Sequence, residues 1–191
     1  HEALVITDLQ LGYEGQMLST GIFVPKFQLK DMKERLKKII KLVKPSKIII
    51  NGDFKHEFGR ISREEWKESL DMIDFLEKNS EELILIEGNH DNISFTDSEN
   101  SWIVYLQEKG LVLRPRFYFN DSDRIEFIPV EIGGYNIYGL GYPGAFAEER
   151  IGALTEYLGD CERDRNIIMV HTAIADDSFL PGTVSSGQID S

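Results

Sequence analysis

Short apolar runs alternate along the chain with stretches whose apolar residues recur every three or four positions. "ALVIT" (3–7), "KIII" (47–50), "LILI" (83–86) and "NIIMV" (166–170) read as buried strands. Between the first two, "LKDMKERLKKIIKLVK" (29–44) places Leu29, Met32, Leu36, Ile39, Ile40 and Val43 at helical spacing. Before the third, Ser62 and Glu65 have the spacing of a capping box. There Trp66, Leu70, Ile73 and Leu76 form the inward stripe of a helix over 62–78. A further helix is expected over 98–109, carrying Trp102, Ile103 and Leu106 and stopped by Gly110.

The pattern then changes. "RIEFIPVEIGGYNIYGLGY" reads as two strands around Gly133-Gly134, most simply a hairpin. A helix over 145–158 precedes the last strand. Strand–helix alternation followed by an antiparallel element predicts an α/β sheet layered against a second sheet. The final "DDSFLPGTVSSGQIDS" is polar and turn-rich. An α/β domain rarely stops in a loop just beyond a core strand, so the expectation is one domain over 1–191 with its C-terminal part missing.

Composition narrows the picture. A chain of 191 residues is long enough for one sizeable core. Its apolar stretches are far too short to span a bilayer, so no membrane role is expected. Cys161 stands alone, which rules out an internal disulfide framework and makes a reducing, cytoplasmic setting the default. The net charge of −12 argues against whole-surface affinity for nucleic acid or anionic membrane. A local site is still compatible with it, because acidic clusters that hold metal ions inflate the negative count. The lysines of 29–44 read as the solvated face of an amphipathic helix.

Candidate chemistry gathers at the ends of the apolar strands, where parallel α/β sheets bind ligands. The first delivers Asp8 and Gln10, and the second Asn51, Gly52, Asp53 and His56. The third delivers Asn89, His90 and Asp91, and the last His171. Any one of these could be a satisfied loop residue; four strand ends agreeing is harder to dismiss. Asp, Asn and His without cysteine suit manganese, iron or zinc. Gly52 and Gly88, each directly before a candidate ligand, allow a sharp turn and a close approach. A carboxylate between two such ions can bridge them, and the pair can activate water and clamp a phosphate ester.

"DLQ", "NGDFKH", "GNHD" and "MVH", in this order and each after a strand, resemble the motifs of the calcineurin-like metallophosphoesterases. The resemblance covers nearly the whole chain. It implies a four-layer α/β/β/α sandwich and two divalent metal ions, manganese first, with iron or zinc as alternatives. By position, Asp8 and Gln10 would bind one ion, Asp53 would bridge, and Asn89 and His171 would bind the other. His90 would stabilise charge or protonate the leaving group, with Asp91 orienting its ring; His56 would face substrate or support the ligands from behind, or be a plain loop histidine. Gln10 stands where the family usually has histidine, and the family's terminal G-H-x-H is absent up to Ser191. "DLQLGYEG", "GDFKHEFGR" and "NIIMVHTAI" look like the DNA-repair members, the SbcD-type nucleases and ligase-associated phosphoesterases. The reading that follows is a metal-dependent phosphodiesterase, a DNA-processing nuclease. Its rivals are a small-molecule phosphatase or cyclic-nucleotide phosphodiesterase on the same fold, and a metal-poor scaffold.

Overall fold

A computed structural model describes residues 3–91, 101–119, 125–142, 146–159, 165–175 and 183–185. In chain order the first half contains β1 (Ala3–Ile6), α1 (Tyr13–Ser19), α2 (Gln28–Val43), β2 (Lys47–Asn51), α3 (Arg63–Glu77), β3 (Glu82–Ile86) and α4 (Trp102–Glu108). The second half contains β4 (Arg116–Phe119), β5 (Ile125–Ile128), β6 (Val130–Ile132), β7 (Tyr135–Gly141), α5 (Ala147–Gly159), β8 (Asn166–Val170), β9 (Ala173–Ala175) and β10 (Thr183–Ser185).

Strands β1, β2 and β3 form a parallel sheet in that order, with Leu4 opposite Ile48 and Ile48 opposite Leu83. Side chains alternate across a strand, and here both faces are apolar. Ile48, Ile50, Leu83 and Leu85 pack with Leu36 and Ile40 of α2, Met72, Ile73 and Leu76 of α3, and Trp102, Ile103 and Leu106 of α4. Ile49, Ile84 and Ile86 point the other way and meet Ile132 and Ile137 of a second sheet, ordered β6-β7-β8. The outer side of that sheet, with Tyr138 and Leu140, is covered by Leu154 of α5 together with Phe127. The layers are therefore α/β/β/α, as the resemblance implied. Gly139 keeps the two sheets close, since a Cβ there would press on Pro115 and Ile86.

Several local expectations change. Residues 13–19 form a short helix that the hydrophobic pattern does not predict. "RIEFIPVEI" is not one strand. It breaks at Pro129, which cannot donate to a ladder, so that β5 pairs with β4 and only β6 joins the hairpin. The Gly133-Gly134 turn itself is as expected, both residues at positive φ between Ile132 and its partner Tyr135. The capping box holds: the Ser62 hydroxyl accepts from the Glu65 N–H (3.2 Å) and Glu65 accepts from the Ser62 N–H (2.9 Å). The buried stripe of α3 is rotated, however, running through Glu65, Ser69, Met72, Ile73 and Leu76 with Trp66 and Leu70 half-buried at its edge. On α2, Leu36 and Ile40 are buried while Ile39 is exposed. Helix α4 starts at its cap Ser101; residues 98–100 and Ala145 lie outside the described residues.

Candidate metal centre

Beyond the carboxyl ends of β1 and β2 the two segments stay zipped together. The Asp8 N–H donates to the Gly52 carbonyl (3.2 Å), Gln10 to Asp53 (2.9 Å) and Leu11 to Phe54 (2.9 Å), while His56 donates back to Leu11 (2.9 Å). Asp8 (φ 55°), Gln10 (φ 49°) and Asp53 (φ 48°) all occupy the left-handed region. Among the described residues, Lys44 is the one other non-glycine at positive φ, and it caps the end of α2. Such backbone costs an ordinary residue about 1–3 kcal/mol and gathers at functional sites. Here it falls on three residues whose side chains carry the motif.

Asp53 is the centre of the site and is 4% exposed. Its Oδ1 accepts from the His90 backbone N–H (3.1 Å) and lies 3.4 Å from His171 Nε2. Its Oδ2 accepts from Gln10 Nε2 (3.3 Å) and lies 3.6 Å from His90 Nε2. Burial opposes the charge, but the His171 bond, the His90 N–H and the two imidazoles outweigh it and hold the carboxyl below its usual range. The same bond to Asp53 pushes His171 up against its own burial. His171 Nδ1 donates to the Asn51 carbonyl (3.1 Å), which leaves Nε2 for the site.

Asp8, Asp53 and His171 each bring a ligand atom within 4.8 Å of the others. Asn89 is half-buried on the turn between Gly88 and His90. Space is made by the two glycines: a Cβ on Gly52 would collide with the His171 ring, and one on Gly88 with the backbone and carboxylate of Asp53.

Two expected roles change on inspection of the contacts. Gln10 does reach the site, yet its Oε1 accepts from His56 Nδ1 (2.8 Å) and its amide nitrogen faces Asp53. It therefore offers Asp53 a donor, where a metal ligand would offer a lone pair. Asp91 does not orient the His90 ring. Fully buried, it accepts from the backbone N–H groups of Gly88 (2.9 Å), Phe54 (3.1 Å) and Lys55 (3.1 Å), while burial pushes its carboxyl up. The ring of His90 is held instead by the His56 carbonyl, which accepts from Nδ1. His56 thus braces Gln10 with its ring and His90 with its backbone; burial, then the charge of His90, lowers its own pKa.

Sequence reasoning missed the acids that hold this frame. Glu65 accepts from the Glu57 N–H (2.7 Å) besides capping α3, Glu68 accepts from the Gly12 N–H (2.9 Å), and Glu14 accepts from Phe27 (2.7 Å) and Gln28 (2.9 Å). Part of the negative charge is thus spent on binding backbone N–H groups of the site loops. Glu65 had a signal in the capping box; Glu14 and Glu68 had none, because their partners are distant in sequence.

A family model described as calcineurin-like phosphoesterase matches residues 2–182. The chain belongs to that family. Membership in the calcineurin-like phosphoesterases makes the protein a member of a hydrolase family and agrees with the fold. A comparison with curated proteins finds no match. Among solved structures, the crystal structure of the Pseudomonas putida nuclease MPE is similar at 15% identity and a TM-score of 0.42. The alignment covers 94% of this chain and 66% of that one, so the chain spans less than two thirds of that nuclease. No helix among the described residues is long and apolar enough to cross a membrane.

The residues present fit a hard divalent cation. Two carboxylates and an imidazole converge, and the imidazole is fixed through its second nitrogen by a carbonyl.

Proposed function

We propose that the chain is the catalytic domain of a metal-dependent phosphodiesterase acting on nucleic acid. The observation that carries the reading is the position of Asp53. One buried carboxylate is shared by loops from β1, β2 and β3 and by His171 after β8. Asp8, Asp53, Asn89 and His171 would hold two divalent ions, manganese first. Bound there, such ions supply an activated water near neutral pH and neutralise charge on the phosphate. Gln10 is a weak ligand at best, since ligation requires its oxygen to leave His56.

His90 supplies the proton chemistry. With Nδ1–H committed to the His56 carbonyl, Nε2 carries hydrogen only in the imidazolium form. That proton is the one passed to the leaving oxygen, or hydrogen-bonded to charge developing on the phosphoryl group. Asp91 is a positioning residue: it ties the 88–91 turn to the 54–55 backbone, so that the His90 N–H stays on Asp53.

The nucleic-acid part of the proposal is supported by the likeness of "DLQLGYEG" and "GDFKHEFGR" to the DNA-repair members. The test is manganese-dependent hydrolysis of a generic phosphodiester, a monoester, and single- and double-stranded DNA. Diester hydrolysis with DNA cleavage is expected. Monoester preference would favour the phosphatase rival, and inactivity with every substrate the scaffold.

A further inference from the structure

Phe58 is a large apolar side chain that the fold leaves 68% exposed, on the loop that leads away from Asp53. One face of its ring lies on the His90 imidazole, with centroids 3.9 Å apart and planes inclined by 27°. Beyond His90 the His56 ring stacks at 5.7 Å and 23°, and Tyr13 closes the row edge-on at 4.9 Å and 89°. This row of rings borders the metal centre, because His90 Nε2 is 3.6 Å from Asp53 Oδ2. Its open end is the part of Phe58 that His90 does not cover.

We infer that Phe58 is a stacking platform for an unpaired nucleobase beside the scissile phosphate. The inference rests on the phosphodiesterase reading above and specifies its substrate as single-stranded or frayed nucleic acid. A phosphate held by a cation at Asp53 would have its neighbouring base within about one nucleotide's reach of the ring, since His90 touches both Asp53 and Phe58. Every base has a π-face, so such a platform recognises nucleic acid without reading sequence. It also answers the charge problem. The protein carries a net charge of −12, and lysines on the adjoining segments are committed: Lys55 is fully buried and bonded to the Glu57 carbonyl, and Lys26 is paired with Glu64. Duplex binding draws on many free Lys and Arg contacts to phosphate. Stacking needs none, but it needs a base that is not already paired and stacked.

The test uses short oligonucleotides with one hydrolysable linkage, differing only in whether the adjoining sugars carry bases or are abasic. With manganese, the unmodified protein should show kcat/KM about 10- to 100-fold higher on the base-bearing substrate, the range that one stacked base contributes. Phe58→Ala should close most of that gap, and Phe58→Trp should keep it. Absence of base preference in the unmodified protein would overturn the inference. So would a Phe58→Ala protein that slows on both substrates equally, because the ring would then serve only to brace His90. If neither oligonucleotide is cleaved while bis(p-nitrophenyl) phosphate is, the nucleic-acid reading fails separately. Equilibrium binding of the same two oligonucleotides then decides the platform: equal affinities refute it, and a base-dependent affinity lost in Phe58→Ala supports it.

Discussion

Replacing Gly88 with alanine is a one-carbon change that the structure predicts to be costly. The new Cβ would run into the Asp53 carboxylate, backbone nitrogen and Cα. A flexible side-chain end could swing away, but backbone cannot, so the 87–91 turn must move. Two bonds to carboxylates are lost or stretched with it: Gly88 N–H to Asp91 (2.9 Å) and His90 N–H to Asp53 (3.1 Å). Overpacking costs about 1–3 kcal/mol, and a weakened hydrogen bond to a charged group about 1–2 kcal/mol more, giving about 2–5 kcal/mol in all. With a urea slope of about 2–3 kcal/mol/M for a domain of this size, the midpoint should drop by about 1–2 M. Circular dichroism across a urea series reads this directly. Gly152→Ala is the control. It lies inside α5 with nothing within 4 Å of the added carbon, and should stabilise by about 0.5–1 kcal/mol. A Gly88→Ala midpoint equal to the unmodified protein's would refute the close approach of this turn to Asp53.

His90→Asn should lower phosphodiester turnover about 10²–10⁴-fold, most on substrates with poor leaving groups, while metal content stays near normal. Metal analysis of the purified variant checks the role, and lost metal would make His90 a ligand. Asp91→Asn places an amide among three buried N–H donors and should destabilise by about 2–4 kcal/mol in urea unfolding; an unshifted midpoint would remove Asp91 from the frame. Gln10→His should raise manganese affinity on the Asp8 side about 10-fold, the scale on which a single change near a metal moves its binding. Calorimetric titration measures it, and an unchanged or weaker site would show that the amide is already an adequate ligand.

Much of the layered fold was legible because both faces of β2 and β3 are apolar and their runs stand out against charged helices. Ser62 and Glu65 announced α3 through a purely local pattern. What escaped was non-local or too short to be periodic. Tyr13–Ser19 is two turns long with Gly15 inside it, and "RFYF" of β4 acquires meaning only through its partner β5. The rotation of the α3 stripe follows from Glu65, which is buried because the Glu57 N–H needs an acceptor. In the candidate site, the meeting of Asp8, Asp53 and His171 could be expected from strand ends alone. The orientation of Gln10 and the use of Asp91 could not, because both depend on backbone groups brought in by the β2 loop. A motif names side chains, and these two are engaged by contacts that lie outside it.

The central claim is that Asp53 is the shared carboxylate of a metal centre that hydrolyses phosphodiesters. Its most direct test is a manganese titration of the unmodified protein and of Asp53→Asn by isothermal calorimetry, with diester turnover followed on the same samples. The amide keeps the shape and loses the charge. Manganese affinity should therefore fall by at least about 10²-fold and turnover with it, while the urea midpoint shows the fold retained. An Asp53→Asn protein that binds manganese as tightly and turns over as fast as the unmodified one would contradict the account.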